Sequence, residues 1–433
     1  MKINEKDTKQ GIIPTLRFPE FSKAGEWAIV TLNKFASRIS KKNNGHICRV
    51  LTNSAADGVV DQTDYFDRNI VSEKNLHNYY VIENGDYVYN PRISTSAPVG
   101  PISKNYIGQG VMSPLYTIFR FHNSNNEFYN QYFKTKYWHK YLKNVANQGA
   151  RFDRMNITTD DFMNLPVPAP CQAEQQKIAD CLSSIDALIK AAENKIDELK
   201  AHKKGLMQQL FPAEGETVPA LRFPEFQDAG EWEEILMHQI GKMFSGLSGK
   251  NSSDFGRGKR YITYKQVYSD TVNDFDKCEK VLIRESEKQH YVQQGDILFT
   301  TSSETPNEVG ISSVILESLS ETIYLNSFCF ILRPYDMNKL YPKFARHLFR
   351  SQIYRNRINK LAQGAIRFNL SRNQFIKLSL PIPRDLKEQQ KVADCLSSID
   401  DLIAVQTNRL EALRNHKKGL MQQLFPNLNN HEE

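Results

Sequence analysis

The feature that most constrains this chain is a set of segments that occurs twice and flanks two stretches of different sequence. The segment LRFPEFSKAGEW at 16–27 returns as LRFPEFQDAGEW at 221–232, with 10 of 12 positions identical. A longer segment that begins with EQQK at 174–212 returns at 388–426, with 27 of 39 positions identical. The stretches enclosed by these repeats share only scattered residues. We therefore predict one scaffold that is built twice and carries two different recognition surfaces.

Composition limits the classes of protein that the chain can belong to. Its 433 residues exceed one ordinary core, and 40% hydrophobic residues are ample for two packed domains. No run of 18 or more apolar residues is present, and the N-terminus lacks the apolar region of a secretory signal. We therefore expect a cytoplasmic protein without a membrane association. The net charge of +7 is compatible with a polyanionic partner but does not require one.

The six cysteines form no C-x-x-C pair and do not alternate with histidines at zinc spacing. The sequence therefore predicts neither a metal site nor a disulfide framework, and the cysteines are interpreted as small buried residues.

The long repeated segments carry the heptad pattern of coiled-coil helices. Their apolar residues alternate at spacings of four and three, as an a/d seam requires. At about 1.5 Å per residue, each helix is about 55 Å long, which exceeds the diameter of a small domain. One globule alone therefore cannot cover the whole apolar seam. The seam positions are Ile178, Leu182, Ile185, Ile189, Ala192, Ile196, Leu199, Lys203, Leu206 and Leu210, and in the second copy Val392, Leu396, Ile399, Ile403, Gln406, Leu410, Leu413, Lys417, Leu420 and Leu424.

The simplest pairing of these seams is an antiparallel coiled coil within the chain, because globules and helices alternate along it. Homodimerisation through each seam is the alternative. Asp385 and Glu388 form a D-x-x-E pattern that predicts a capping box for the second helix, and the Phe-Pro pairs at 211–212 and 425–426 predict both helix ends. Cys171 stands where the first helix would have its cap.

The helix ends are identical in both copies over the eleven residues HKKGLMQQLFP. We interpret this identity as a surface that binds two copies of one partner, since packing against different neighbours would not preserve it. The candidate partner-binding residues are His202, Lys203, Lys204, Gln208, His416, Lys417, Lys418 and Gln422.

A common pattern survives in both divergent globules. Each contains a strand, a Gly-Asp turn and a second strand, which together predict a hairpin around Gly85-Asp86 and Gly295-Asp296. A loop, a further strand and an aromatic and basic helical stretch follow. Each globule then ends with a Q-G-A loop and a Leu-Pro-x-Pro segment. This arrangement is typical of recognition that is carried on loops held by a rigid core.

The loops are rich in side chains that suit contacts with base edges and phosphates. In the helical stretches, basic residues such as Lys134, Lys136, Arg346 and Arg350 are a second candidate group that could follow a phosphate backbone, although a solvated helix face is the simpler interpretation of each. The candidate DNA-binding residues are Arg92, Ser94, Thr95, Ser96, Lys104, Arg151, Arg154, Thr300, Thr301, Ser302, Ser303, Arg367, Asn369 and Arg372.

No catalytic constellation can be assembled from the sequence. The segment GLSGKNSS at 246–253 has two residues where a phosphate-binding P-loop has four between its glycines, and Asn251 replaces the required hydroxyl. Asn-Pro-Arg at 90–92 is not the tetrapeptide of amino-group methyltransferases, and no G-x-S-x-G elbow is present. We therefore expect a protein that recognises a ligand and has neither catalytic residues nor a bound cofactor.

The duplicated order of these motifs resembles the specificity subunit of type I restriction-modification enzymes. The resemblance rests on the repeated G-E-W segments, Gly-Asp turns, Q-G-A loops, Leu-Pro-x-Pro segments and EQQK helices, and covers essentially the whole chain. It implies a mixed α/β (α+β) fold with two target-recognition domains and two long helices, paired as an antiparallel coiled coil with pseudo-twofold symmetry. The implied segments are a tail at 1–15, recognition domains at 16–173 and 221–387, spacer helices at 174–212 and 388–426, a linker at 213–220 and a tail at 427–433.

The resemblance also implies a function and partners. Each domain would read one half of a bipartite, asymmetric site on double-stranded DNA, and the helices would set the spacing between the halves. The subunit would not be an enzyme but would assemble with two methyltransferase subunits and with restriction and translocase subunits. S-adenosylmethionine, ATP and Mg²⁺ would bind those partners. A tandem protein-binding scaffold and the specificity subunit of a methylation-only system are the alternatives.

Overall fold

The computed structural model describes residues 9–45, 47–65, 73–147, 153–269, 271–305, 308–364 and 367–427. The chain divides into two compact units. Unit 1 comprises the chain up to Ala191 together with the part from Leu410 onward, and unit 2 comprises Ala192–Arg409. Each unit therefore combines one globule with a part of each long helix.

Unit 1 contains mostly short strands and helices. Its strands are β1 (Lys9–Ile12), β2 (Trp27–Thr31), β3 (Ala36–Ile39), β4 (Leu51–Ser54), β5 (Gly58–Asp61), β6 (Tyr80–Ile82), β7 (Tyr87–Tyr89), β8 (Ile102–Lys104), β9 (Gly110–Met112), β10 (Thr117–Phe121) and β11 (Pro166–Ala169). Its helices are α1 (Gln62–Tyr65), α2 (Glu127–Tyr132), α3 (His139–Val145), α4 (Thr159–Met163) and the beginning of the long helix α5 (Gln172–Leu210).

Unit 2 follows the same plan with additional strands. Its strands are β12 (Glu233–Leu236), β13 (Gly241–Ser245), β14 (Phe255–Ile262), β15 (Glu279–Val281), β16 (Ile297–Thr300), β17 (Ser302–Ser303), β18 (Ser312–Val314), β19 (Tyr324–Leu325), β20 (Cys329–Pro334), β21 (Ala362–Gln363), β22 (Phe368–Leu370) and β23 (Ser379–Ile382). Its helices are α6 (Met237–Ile240), α7 (Tyr264–Ser269), α8 (Pro342–Leu348), α9 (Gln352–Leu361), α10 (Arg372–Phe375) and the beginning of the long helix α11 (Leu386–Leu424).

A four-stranded antiparallel sheet with the same strand order lies in each unit. The order is β3-β10-β7-β8 in unit 1 and β13-β20-β16-β18 in unit 2. The central strands β7, β10, β16 and β20 consist mostly of buried apolar residues, which places the sheet within the core. The prediction of a shared scaffold in a mixed α/β fold is therefore confirmed.

The Gly-Asp turns were wrongly predicted to close hairpins. In unit 1, β6 pairs with β9, whereas β7 pairs with β8 and β10, so the strands on either side of the turn lie in different sheets. Gly85 at this turn has φ +89°, a conformation that glycine adopts without strain. The adjacent Asp86 is buried and pairs with Arg120 of β10 at 2.5 Å. Its carboxylate also accepts a hydrogen bond from the Glu83 backbone N–H at 2.7 Å, which closes the turn.

Unit 2 repeats this arrangement. The carboxylate of Asp296 pairs with Arg333 of β20 at 2.8 Å and accepts from the Gln293 backbone N–H at 2.7 Å. Burial raises the pKa of Asp296, although hydrogen bonds from Arg333 act in the opposite direction. The repeated Gly-Asp motif is thus explained by a turn whose aspartate ties it to the neighbouring strand.

The repeated LRFPEF, G-E-W and EQQK motifs meet in a single buried cluster in unit 1. The guanidinium of Arg17 forms two hydrogen bonds to the carboxylate of Glu174, at 2.6 and 2.7 Å. The indole N–H of Trp27 donates to the same carboxylate at 3.1 Å. Because these residues are far apart in sequence, the cluster fastens the first strand region to the beginning of α5.

The equivalent residues of unit 2 form the same cluster. Arg222 donates to Glu388 through two bonds of 2.8 Å, and the indole N–H of Trp232 donates to Glu388 at 3.0 Å. The capping box predicted for α11 is therefore only half correct. Asp385 caps the helix by accepting from the Lys387 backbone N–H at 2.8 Å, but the side chain of Glu388 is used in this core cluster.

The Leu-Pro-x-Pro segments form strands. β11 pairs with β2, and β23 pairs with β12, both in antiparallel register. Each of these strands has a neighbour on one side only in the described sheets. The prolines are tolerated there because an edge strand does not need every backbone N–H for pairing.

The long helices pair in antiparallel fashion within each unit. In unit 1, Ile178 and Leu182 of α5 share a core with Leu424 of α11, and Asp186 pairs with Lys417 at 2.5 Å. Residue numbers therefore rise along one helix as they fall along the other. Unit 2 has the same pairing, with Lys203 of α5 bound to Asp400 of α11 at 2.5 Å. The contacting residues of α5 and α11 thus include seam positions that the heptad pattern predicts.

The identical helix ends are buried in the two units by equivalent aromatic contacts. Phe425 lies 5.3 Å from Phe128 and 5.9 Å from Tyr132, measured between ring centroids. In unit 2, Phe211 lies 5.5 Å from Phe344 and also contacts Trp232. Packing therefore explains why the apolar residues of these ends are identical, because their neighbours in the two units are alike, and the interpretation as a partner surface is wrong for these apolar residues.

Candidate nucleic-acid interface

Two loops predicted to carry recognition meet in unit 1. The chain after β7 runs antiparallel to the chain that follows the Q-G-A loop, with Arg92 opposite Arg154. The Ile93 N–H donates to the Asp153 carbonyl at 3.0 Å, and the Met155 N–H donates to the Pro91 carbonyl at 2.8 Å. The short ladder joins segments about sixty residues apart in the sequence.

The first of these loops is shaped by Asn90 and Gly100. The side-chain oxygen of Asn90 accepts from the Arg92 N–H at 3.0 Å, and its amide nitrogen donates to the Asn53 carbonyl at 2.9 Å. Gly100 has φ +82°, and a Cβ atom there would lie 2.0 Å from the Asn90 carbonyl oxygen. Asparagine and glycine are therefore required by the turn chemistry of this loop.

A cavity of about 430 Å³, called cavity 1, lies beside this backbone bridge. Arg92, Ser94 and Arg154 line it, so three predicted residues share one concave surface. Its other polar lining includes Gln62, whose amide both donates and accepts hydrogen bonds. The guanidinium and amide groups are the types that recognise purine edges.

An equivalent junction occurs in unit 2. β17 pairs with β22, so that Ser302 lies opposite Asn369 and Ser303 opposite Phe368. A cavity of about 420 Å³, called cavity 2, is lined here by Ser302, Ser303 and Arg367. Three predicted residues thus line this cavity, although Ser302 and Ser303 are themselves buried. Tyr264, Tyr268, Glu304, Glu308 and Phe328 complete the lining of cavity 2 and were not predicted.

Glu308 is held in cavity 2 by hydroxyl groups. Its carboxylate accepts from the Ser303 hydroxyl at 2.7 Å and from the Tyr268 hydroxyl at 2.9 Å. These hydrogen bonds, that of Ser303 first, lower the pKa of Glu308. The group therefore stays ionised at neutral pH. No local motif signals this role, because Tyr268 lies on α7, far from Glu308 in the sequence.

Some predicted DNA-binding residues are used inside the fold. Thr300 is fully buried, and its hydroxyl donates to the Glu308 carbonyl and accepts from the Ile311 N–H. The Lys104 ammonium pairs with Glu127 and donates to Asn126 at 2.8 Å, with only 9% of its side chain exposed. The Thr301 hydroxyl donates to the Phe328 carbonyl at 2.7 Å. The structure thus corrects the predictions for Thr300 and Lys104, whose polar groups already have partners.

The remaining predicted residues lie at the surface. Thr95 and Ser96 are exposed on the loop of unit 1, and Asn369 and Arg372 are exposed in unit 2, the last at the start of α10. Arg151 lies outside the described residues. For these positions the binding role stays a prediction.

The arginines of the second helical stretch do not form a free basic surface. Arg346 pairs with Asp400 at 2.9 Å, and Arg357 pairs with Glu234 at 2.8 Å. Arg350 donates to the Ser312 carbonyl at 2.6 Å. Neither the possible phosphate contact nor the simpler interpretation as a solvated helix face describes these three arginines, because their half-buried guanidinium groups stabilise unit 2.

The predicted partner-binding residues divide into two sets. Lys203 and Lys417 face the opposite helix of their own unit, and burial lowers the pKa of both although their aspartate partners act against it. The other residues are exposed at equivalent positions in both units; they are His202, Lys204, Gln208, His416, Lys418 and Gln422. Packing does not explain why these exposed residues are identical.

The described part of the chain contains no group of three or more metal-ligating side chains, and no helix in it is long and apolar enough to span a membrane. Lys250, in the segment that resembled a P-loop, pairs with Glu287 and donates to the Leu282 carbonyl at 2.5 Å. All six cysteines are free thiols, but only Cys329 is fully buried, which corrects the interpretation of the others.

Two units with one scaffold and different loop cavities define a protein of paired recognition domains. The family model described as "Type I restriction modification DNA specificity domain" matches residues 28–201 and again 230–415. Since these matches cover most of the 433 residues, the chain belongs to this family and contains its domain twice.

Individual relatives agree with this assignment. The type I restriction enzyme MjaVIII specificity subunit of Methanocaldococcus jannaschii is 26% identical over 275 residues, 61% of this chain and 62% of the relative. The putative MjaX specificity subunit of the same organism is 26% identical over 313 residues, 68% of this chain and 65% of the relative. The matched stretches thus span less than two thirds of either relative. The EcoKI specificity subunit of Escherichia coli is 32% identical over 120 residues, 28% of this chain and 24% of that subunit.

Solved structures share the fold. The crystal structure of the type I restriction-modification S subunit from M. genitalium has a TM-score of 0.54 and 14% identity, and the match covers 96% of this chain and 100% of that one. A chain from a study of assembly and conformational transition of the type I R-M system has a TM-score of 0.55 and 14% identity, with 93% of this chain and 98% of that one covered.

Proposed function

We propose that this chain is the non-catalytic DNA-specificity subunit of a type I restriction-modification complex. Each unit reads one half of a bipartite, asymmetric site on double-stranded DNA. The observation that carries this proposal is the pair of cavities at the same strand junction, one in each unit, with different side chains lining them. A common backbone with different contact groups is what recognition of two unlike half-sites requires.

The contact groups fit DNA better than a small metabolite. Arg92 and Thr95 are exposed beside cavity 1, and Arg367 and Asn369 beside cavity 2. Arginine reads guanine and asparagine reads adenine through two hydrogen bonds, and arginine also binds phosphates. The net charge of +7 has the sign that favours association with DNA.

The exposed identical helix residues support the proposal of two identical partners. We assign to His202, Lys204 and Gln208, and to their equivalents in unit 1, the docking of two methyltransferase subunits. S-adenosylmethionine would bind in those subunits, and ATP and Mg²⁺ in the restriction and translocase subunits of a full complex. Each of the two long helices contributes residues to both units, which supports a role of the helices in setting the half-site spacing.

Exchange of one globule tests the division of recognition. Residues 28–173 are replaced by the corresponding segment of another specificity subunit, and the methylated sites of host DNA are mapped with each version of the complex. The expected result is a change in one half-site, with the other half and the methylation chemistry unchanged. A change in both half-sites would contradict modular recognition, and the absence of any split methylated site with the original chain would contradict the proposed function.

Salt dependence tests the contact of Arg367 with DNA. If Arg367 neutralises a phosphate, Arg367→Ala lowers the affinity and reduces the slope of log affinity against log salt by about 0.9. Arg384→Ala is the matched control, because Arg384 is an exposed arginine of the same unit that pairs with Glu233. An unchanged slope in Arg367→Ala removes that residue from the phosphate contacts. The same measurement applies to Arg151.

Partner stoichiometry tests the docking surface. Lys204→Glu is expected to remove one methyltransferase from the complex, and Lys204→Glu with Lys418→Glu is expected to remove both, as measured by native mass. Lys195→Glu, elsewhere on the exposed surface of α5, serves as the control. Two partners bound to the double variant would overturn the assignment.

A further inference from the structure

Cavity 2 contains a carboxylate whose orientation is fixed before any ligand arrives. Ser303 of β17 and Tyr268 of α7 each donate a hydroxyl hydrogen bond to Glu308, at 2.7 and 2.9 Å. Because two different elements hold the group, it cannot turn away without breaking these bonds. Such preorganisation is characteristic of a group that selects a ligand.

The carboxylate retains capacity for a ligand. Two carboxylate oxygens offer about four acceptor positions, so about two remain after the bonds from Ser303 and Tyr268. Glu308 is only partly buried and lines a cavity of about 420 Å³. A donor group that enters the cavity can therefore reach an acceptor whose position is already set.

The rest of the lining suits a planar heterocycle. The Phe328 ring is 52% exposed, and the Arg367 guanidinium lies 5.7 Å from its centroid. The rings of Tyr264 and Tyr268 are nearly parallel, with an angle of 11° and centroids 6.4 Å apart. Flat aromatic and guanidinium surfaces are the usual stacking partners of nucleobases.

The equivalent cavity of unit 1 has the opposite character. Its described lining contains two arginines, Arg92 and Arg154, and no carboxylate. Cavity 2 contains Glu304 and Glu308 with a single arginine. The backbone junction is the same in both units, so the lining side chains determine which hydrogen-bonding groups of a ligand each cavity can bind.

We propose that the carboxylate of Glu308 accepts a hydrogen bond from the exocyclic amino group of one base in the half-site read by unit 2. This inference rests on the proposed function and specifies its chemistry at one position. The base is a cytosine, through N4, or an adenine, through N6, because these are the amino groups presented in the major groove. A carboxylate also repels phosphates and the acceptor atoms of guanine and thymine, so it selects against a shifted register.

Base analogues test the proposal with the unmodified protein. The half-site of unit 2 is first assigned by the globule exchange. Duplexes are then made in which each adenine of that half-site in turn is replaced by purine, or each cytosine by 2-pyrimidinone, so that only the amino group is lost. Competition binding of the full chain with its methyltransferase partner is measured. We expect one such position to weaken binding by about 5- to 100-fold. The analogue that does so distinguishes adenine from cytosine.

Variants connect that position to Glu308. In Glu308→Ala the penalty of the analogue at that position is expected to disappear, whereas Tyr268→Phe, which loses one of the fixing hydroxyls, is expected to reduce it. Glu321→Ala is the matched control, since Glu321 is a half-exposed carboxylate of the same unit that pairs with Arg260. The Glu321→Ala protein should show the same loss of affinity for the amino-deleted duplex as the original chain. Thermal unfolding of each variant verifies folding.

Two outcomes overturn the inference. One is that no amino-deleted duplex binds the original protein more weakly than the natural duplex. The other is that the penalty at every position is the same in Glu308→Ala as in the original chain. Neither result changes the outcome of the globule-exchange experiment. A failure of the proposed function is a different result, because no split methylated site would then be found at all.

Discussion

At the residue scale, Glu174 and Glu388 show how one side chain can join three repeated motifs. Each is almost completely buried and binds an arginine and a tryptophan from the opposite end of its globule. A buried carboxylate is tolerated only when it is paired and fully hydrogen-bonded. The sequence identified the motifs as repeats, but a helix-cap pattern was the only role it indicated for Glu388.

We predict that Glu388→Gln strongly destabilises unit 2. The substitution leaves the Arg222 guanidinium, which is 8% exposed, without its counter-charge. Removal of one partner from a buried pair costs about 3 kcal/mol or more in the free energy of unfolding. Glu225→Gln is the control, because Glu225 forms a half-exposed pair with Lys391 at 3.2 Å and should have little measurable effect. Chemical denaturation measures both, and equal effects would contradict the role of the buried cluster.

We also predict an acid-sensitive contribution from His347. Burial holds the pKa of His347 well below 6.5, with Lys203 and Arg346 nearby adding repulsion. Below about pH 6.5 the unfolded chain therefore binds a proton that the folded chain does not, and the free energy of unfolding falls by about 1.4 kcal/mol per pH unit from this group. His347→Gln should remove that part of the slope when denaturation is measured between about pH 7 and about pH 5. The same slope in both proteins would show that His347 does not contribute.

At the element scale, the long helices are paired by apolar seams, and an ion pair joins the two helices in each unit. Lys417 meets Asp186, and Lys203 meets Asp400, at positions that are equivalent in the repeat. The heptads predicted that the lysines lie in the seam. Their partners lie outside the a/d pattern, so only the packed helices show them. A polar residue in a seam favours one register over others, at some cost in stability.

We predict that the protein tolerates a reversal of both charges of the ion pair in unit 1 but is destabilised by two like charges there. Asp186→Lys places a cation beside Lys417 and Lys134, which already pair with Asp186. The free energy of unfolding should fall by about 2 kcal/mol, because the site is partly buried. Adding Lys417→Asp should restore most of the loss. Chemical denaturation of the single and double variants measures the coupling, and no restoration would mean that the pair does not set the helix contact.

At the scale of the whole molecule, each unit depends on chain segments that are distant in sequence. Phe425, directly after α11, lies in the core of unit 1, and Phe211, directly after α5, lies in the core of unit 2. The hydrophobic core of each globule is therefore not formed by its own segment alone. The repeated residues at the helix ends are part of these cores.

We predict that Phe425→Ala and Phe211→Ala act on different units. Each removes a buried aromatic ring and should cost about 3 to 5 kcal/mol in the unit that contains it. Hydrogen exchange of β10 should increase in Phe425→Ala, and that of β20 in Phe211→Ala, with the other unit protected as before. Loss of protection in β20 alone on substitution of Phe425 would contradict the assignment of this helix end to unit 1.

The sequence by itself determined the duplication, the approximate extent of the long helices and several residues that line the two cavities. These features were accessible because periodicity, turn residues and repetition are local properties of a chain. The partners of Glu388 and Lys203, the burial of Thr300 and the inward use of the second-stretch arginines were decided only by the tertiary structure. Burial and hydrogen-bond partners depend on which distant segments meet. The carboxylate of Glu308 reaches a cavity for the same reason, because α7 and β17 are brought together there by the packing of unit 2.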